Sequence, residues 1–151
     1  MKINRGFTLI ELIVVIVVIA ILVSYAIPRL NLNTFRESGF VQQSTASLRY
    51  GQKQAIGSGC RINVFITATD CTIQFGLPVG VGCPAGGTNV VNPATGLNDF
   101  CESSTPESSA DLPTTIQFDN IGRPNATLGD LSLNLGSRTI TIEPETGFSH
   151  E

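Results

Sequence analysis

The stretch Phe7–Ile27, an apolar run of 21 residues broken by one acid at Glu11, constrains this chain more than any other. As a helix rising ~1.5 Å per residue it would be ~31 Å long, enough to cross the hydrocarbon core of a bilayer. Lys2 and Arg5 precede the run and only Arg29 closely follows it, an asymmetry that puts the amino end on the cytoplasmic side. Glu11 needs a reason, because an ionised group at mid-bilayer costs roughly 2.5–3.5 kcal/mol. Near the end of the span it is either a carboxylate tolerated at the membrane edge or a buried group with a pairing partner. Cutting the chain between Gly6 and Phe7 would create such a partner. The new amine would lie four residues from Glu11 on the same helix, or against Glu11 from a neighbouring copy.

The segment Arg5-Gly6-Phe7-Thr8-Leu9-Ile10-Glu11-Leu12, followed by the apolar run, resembles the class III signal of type IV pilins and pseudopilins. The resemblance implies that a prepilin peptidase cuts after Gly6 and that Phe7 becomes the N-methylated first residue. It implies that Glu11 pairs with a terminal amine during filament assembly. Pro28 falls where many pilins carry a helix-bending proline. The implied partners are other pilin subunits through the amino-terminal helix, an inner-membrane assembly platform, and membrane lipid before assembly. The implied location is the bacterial inner membrane, with the carboxyl-terminal domain periplasmic, and then an extracellular pilus. This motif covers about the first 30 residues. A secretory leader is the rival reading, since Ser24-Tyr25-Ala26 has a small-x-small pattern. Against it, the run is longer than the usual ~7–15 residues of such a leader and contains an acid. A plain membrane anchor without processing is the third reading.

The remaining length suits one modest domain on a stalk, rich in Gly, Ser, Thr and Asn. The net charge is −3, and −5 once Lys2 and Arg5 are removed, a balance unsuited to unselective phosphate binding. Cys60, Cys71, Cys83 and Cys101 all follow the anchor, on its non-cytoplasmic side. An even number in an oxidising compartment points to two disulfides. Zinc is disfavoured, because no C-x-x-C occurs and the lone His150 is next to the carboxyl end.

The expected organisation is a leader over 1–6, a membrane-spanning half-helix over 7–27, an amphipathic half-helix over 28–57 and a β domain over 60–151. Pro28 removes a backbone donor and should bend the helix. Val41, Leu48 and Ala55 recur every seven residues, with Phe40 and Ile56 beside them, as a stripe to lie on a sheet. Arg49 and Lys53 sit on another face, either solvated or in contact with acidic neighbours in a filament. Gly57-Ser58-Gly59 should end the helix.

Strand patterns follow. Ile62, Val64 and Ile66 alternate with Asn63 and Phe65 in Arg61–Thr67, and Ile73 and Phe75 with Thr72 and Gln74 in Cys71–Leu77, with a turn at Ala68-Thr69-Asp70. This hairpin would hold Cys60 and Cys71 ~23 Å apart, beyond the ~7 Å a disulfide allows. The pairings 60–83 with 71–101, or 60–101 with 71–83, remain; the first places Cys60 nearer its partner on the returning strand. Pro78–Pro113 is a long loop tethered by Cys83 and Cys101, with a strand hint at Thr88–Val91. It is either a variable surface or a contact surface for neighbouring pilins or an external ligand. Three further strands are expected at Thr114–Asp119, Leu128–Leu135 and Arg138–Glu143, the last two joined by a turn at Gly136-Ser137. Phe148–Glu151 is expected to be a tail. The fold class is α+β, a long amino-terminal helix packed on an antiparallel sheet, as in pilins.

No catalytic set is visible. A G-x-S-x-G elbow, a phosphate-cradling loop and a second histidine are all missing. The acid pairs Asp99 with Glu102 and Glu143 with Glu145 read as solvated surface. Asn125-Ala126-Thr127 is a glycosylation sequon of little weight in a bacterial host. The reading is therefore a structural subunit rather than an enzyme, with no cofactor. The β-domain order is similar to that of the GspH/FimT-like group, and the four cysteines with the ending Thr141–Ser149 resemble the minor pilins of the mannose-sensitive haemagglutinin pilus. That resemblance implies a low-abundance subunit that helps begin assembly; a type II secretion pseudopilin and a major pilin are the alternatives. The other class is a filament-tip module for DNA or a surface ligand. DNA is disfavoured here, because Arg123 and Arg138 are the only basic residues after Arg61.

Overall fold

A computed structural model describes residues 7–26, 32–77, 82–101, 111–125 and 131–151. The chain divides into two units, Met1–Leu32 and Asn33–Glu151. The first contains helix α1, Leu9–Ala26. Expectations that fall on Gly6 and on Pro28 lie outside the described residues.

The second unit is built on helix α2, Leu32–Ser58. It runs through Gly57 and Ser58 and stops at Gly59, whose φ of 66° is the left-handed conformation of a helix-ending glycine. Its buried face carries Phe40, Val41, Leu48 and Ala55, each at most 1% exposed. Between them lie small residues: Ser44 and Ser47 are buried too, as is Gly51. The hydroxyls of Thr45 and Ser47 donate to the carbonyls of Val41 and Ser44, which satisfies them within the helix. Ile56 does not join this face; it is 55% exposed. Its side chain covers Gly122, where an added Cβ would approach it to 2.7 Å.

Two three-stranded antiparallel sheets pack with α2 around one core. The first has the order β2–β1–β3, with β1 Ile62–Ile66, β2 Cys71–Phe75 and β3 Thr114–Phe118. Register sets Val64 opposite both Ile73 and Ile116, so the alternating apolar residues share the inner face. Each large apolar side chain buried there contributes roughly 1.5–3 kcal/mol. The second sheet is β4–β5–β6, with β4 Ser132–Leu135, β5 Arg138–Ile142 and β6 Ser149–His150. Leu133, Leu135, Ile140 and Ile142 are its inner face.

The chain end is therefore a strand rather than a tail. It escapes a pattern reading because β6 has two residues and no alternation to detect. It is fixed by pairing with Thr141 and Ile142 and by α2. Arg49 Nε donates to the Ser149 carbonyl at 2.9 Å, and its guanidinium lies 5.1 Å from the centre of the Phe148 ring. Gln52 donates to the carbonyls of Gly122 and Thr146.

Residues 82–101 of the long loop are laid along the free edge of β2. Val90 N–H donates to the Ile73 carbonyl, Phe75 N–H to Thr88 and Phe100 N–H to Cys71. The exposed ladder groups of that edge are thereby used. Two disulfides hold the loop in place, Cys60–Cys83 and Cys71–Cys101, with Cα separations of 5.7 and 5.0 Å. The pairing is the first of the two that the hairpin allows.

Candidate processing and assembly site

Phe7 and Thr8 precede α1, and Thr8 caps it. The Thr8 carbonyl accepts from Glu11 N–H at 3.1 Å and from Leu12 N–H at 3.3 Å, and Thr8 Oγ1 lies 3.4 Å from Glu11 N. Thr8 and Glu11 thus stand in the S/T-x-x-E spacing of a capping box, a signal that was present in the sequence and escaped the hydropathy reading. Glu11 is consequently the acid of the helix's first turn, where the macrodipole favours a negative charge. The helix begins at Leu9, two residues later than the apolar run. Phe7 is 82% exposed at its mouth.

Beyond Glu11 the helix is apolar on all sides. Leu12, Val15, Ile16, Ile19 and Leu22 are all exposed, and Ile13, the least so of the large apolar residues, is still 43% exposed. Ser24 returns its hydroxyl to the Ala20 carbonyl at 2.9 Å, so it adds no unsatisfied polarity. A helix hydrophobic all round requires lipid or other protein around it. Among the described residues no helix is long and apolar enough to cross a membrane. The 18 residues of α1 correspond to ~27 Å, against a hydrocarbon core of ~30 Å.

The cysteines form disulfides, which leaves no thiolate to ligate a metal. Arg49 and Lys53 are both exposed, as a solvated face requires, and Arg49 is in addition bound to the β6 segment. Lys53 lines a groove on α2 with Gln42, Thr45, Tyr50 and Glu151.

Residues 1–27 match the family model of the prokaryotic N-terminal methylation motif. No curated protein and no solved structure matches the chain. The motif implies a membrane-anchored precursor, processing by a prepilin peptidase and assembly with other pilin subunits. It supports a type IV pilin-like or pseudopilin subunit, a structural protein.

Proposed function

We propose that the chain is a filament subunit cut after Gly6, methylated at Phe7 and polymerised through its amino-terminal helix. The observation that carries this is the methylation motif over residues 1–27, on a capped helix whose large apolar side chains from Leu9 to Val23 are exposed. In the precursor, residues 7–27 span the inner membrane with the amino end cytoplasmic. On assembly, the same surface passes from lipid to a bundle of like helices. Glu11 then meets the new amine of a neighbouring Phe7 in a medium of low dielectric, where a charge with its partner is far better placed than one without.

The subunit is a minor one that helps begin a type IV pilus, as the resemblance to minor pilins implies. The four cysteines together with the ending Thr141–Ser149, which resemble those minor pilins, support that reading over a type II secretion pseudopilin. Intact-mass and amino-terminal analysis of protein from the native host tests the processing. The expected product starts at methylphenylalanine, Phe7; retention of Met1, or a start near Ile27, overturns the proposal. Quantifying the subunit in sheared filaments separates a minor from a major role.

A further inference from the structure

The face of the β2–β1–β3 sheet turned away from the core carries a built set of polar groups. Asn63 sits between the buried Ile62 and Val64, and Gln117 between the buried Ile116 and Phe118, so both point outward. Register aligns Gln74, Asn63 and Gln117 in one row across the three strands. The bridge between Gln74 and Asn89 extends the row on one side. The hydrogen bond from Asn125 N–H to the Gln117 carbonyl extends it on the other. Five carboxamides thus lie in line over four strand spacings of ~4.8 Å, roughly 19 Å in all. Gln117 donates to Asn63 Oδ1 at 2.7 Å and Asn125 donates to Gln117 Oε1 at 3.2 Å. These bonds fix the side chains before any ligand arrives and leave the Asn63 amide hydrogens to donate outward.

The rows on either side complete the set. On one, half-buried Phe65 lies between Thr72 and Thr115. On the other, Arg61 crosses Gly76, where an added Cβ would meet its side chain at 3.0 Å, and Arg123 follows β3. Arg61 and Arg123 line a polar cleft of about 340 Å³ with Gln117, Asn125, Asp119 and Glu145. Neither guanidinium has a hydrogen-bond or ion-pair partner among the described residues. Asp119 is held by its own turn, with Oδ1 accepting from the N–H groups of Ile121 and Arg123.

We propose that this face binds a carboxylate-bearing polysaccharide. Guanidinium groups recognise carboxylates in a planar, two-bond geometry. Carboxamides both donate to and accept from sugar hydroxyls, and the Phe65 ring offers a flat apolar patch to a sugar's C–H face. The acidity of the chain, at −3, opposes any polyanion; what disfavours a nucleic acid is that its phosphates would meet only the two cations of the cleft, whereas the carboxamide row suits the many hydroxyls of a sugar chain. The inference does not rest on the filament reading, and either can fail alone.

The test uses the full chain in detergent micelles, titrated by calorimetry with a galacturonic acid hexamer and, separately, with its fully methyl-esterified, uncharged form. The acid form should bind, the ester about tenfold more weakly. Arg123→Gln, an exposed turn position, should weaken the acid form by about the same factor. Asn63→Ala with Gln117→Ala should do so for both forms, while Lys53→Ala on α2 should change nothing. Equal binding of acid and ester overturns the proposal, as does no binding at millimolar hexamer. Equal competition by a short DNA duplex would mark a general anion patch and also overturn it. So would an Arg123→Gln effect seen only in self-association of the chain.

Discussion

Glu37 on α2 accepts two hydrogen bonds from Ser137 in the β4–β5 turn, from its N–H at 2.5 Å and from its hydroxyl at 2.8 Å. A hundred residues apart in sequence, the two groups tie the helix to the second sheet. The turn is shaped to admit the carboxylate. Gly136 has φ +64°, and an added Cβ there would collide with Glu37 Oε1. The backbone N–H of Ser137, then its hydroxyl, hold the Glu37 carboxyl below its ordinary range, with Arg138 adding to the effect.

That depression has a definite sign in a pH titration. The folded state binds the proton less readily than the unfolded chain, whose glutamate titrates near ~4.3. The stability it contributes is present above that value and is lost as pH falls through the lower native one. Glu37→Ala is expected to lower the melting temperature at neutral pH. The gap from the parent protein should narrow as the pH falls below the unfolded value. Thermal melts of both proteins from pH 7 to 3 check this.

Gly51 is where α2 lies closest to the sheet. A Cβ at that position would sit 2.4 Å from Val64 Cγ2. Gly51→Ala should gain about 1 kcal/mol of helix propensity, yet lose more to the overpacked contact, typically 1–3 kcal/mol. The expected result of urea unfolding is net destabilisation, relieved in part by adding Val64→Ala. A simple gain in stability would mean that the helix stands off the sheet.

How much of this was legible beforehand varies with the physics. The hairpin, β3, β4 and β5 were legible because apolar residues at every second position have one outcome on a two-faced sheet. The seven-residue recurrence of Val41, Leu48 and Ala55 likewise marked the buried face of α2. Ser44, Ser47 and Gly51 share that face and are silent in a hydropathy pattern; they are small because the helix must come close. Ile56 misled, since an apolar residue is free to cover a glycine at the surface as at Gly122. The carboxamide row could not be seen at all. Each member is an ordinary polar strand or loop residue until register sets it beside the others. At the amino end the methylation motif was legible, and the Thr8-x-x-Glu11 spacing of the cap was there as well, silent only to a hydropathy pattern.

The two disulfides should differ in accessibility and in cost. Cys71 is fully buried and Cys101 nearly so, whereas Cys83 is half-exposed. Mild reductant is expected to open Cys60–Cys83 first, detected by mass after alkylation. Removing either bridge by paired Cys→Ser changes should cost about 2–4 kcal/mol from lost chain restriction. The Cys71–Cys101 pair should cost more, since two hydroxyls would then lie against the core beside Ser44, whose Oγ is 3.7 and 3.9 Å from the two sulfur atoms.

Glu11 invites two explanations, and a pair of substitutions separates them. As the first-turn acid below the Thr8 cap it stabilises its own helix, by about 0.3–1 kcal/mol. As a partner for a neighbouring amine it would act between subunits, where leaving that amine buried and unpaired costs roughly 3–5 kcal/mol. Glu11→Val removes the charge and makes the segment more apolar, so membrane residence should be kept or improved. If pairing is its role, incorporation into sheared filaments should fall at least about tenfold. Thr8→Ala removes the cap, at ~0.5–2 kcal/mol, and leaves the carboxylate in place; its incorporation should stay near that of the parent. Equal defects in the two variants would assign Glu11 to helix initiation alone. Normal incorporation of Glu11→Val would end the pairing account, because Glu11 is the one acid among the described residues of α1 and its approach.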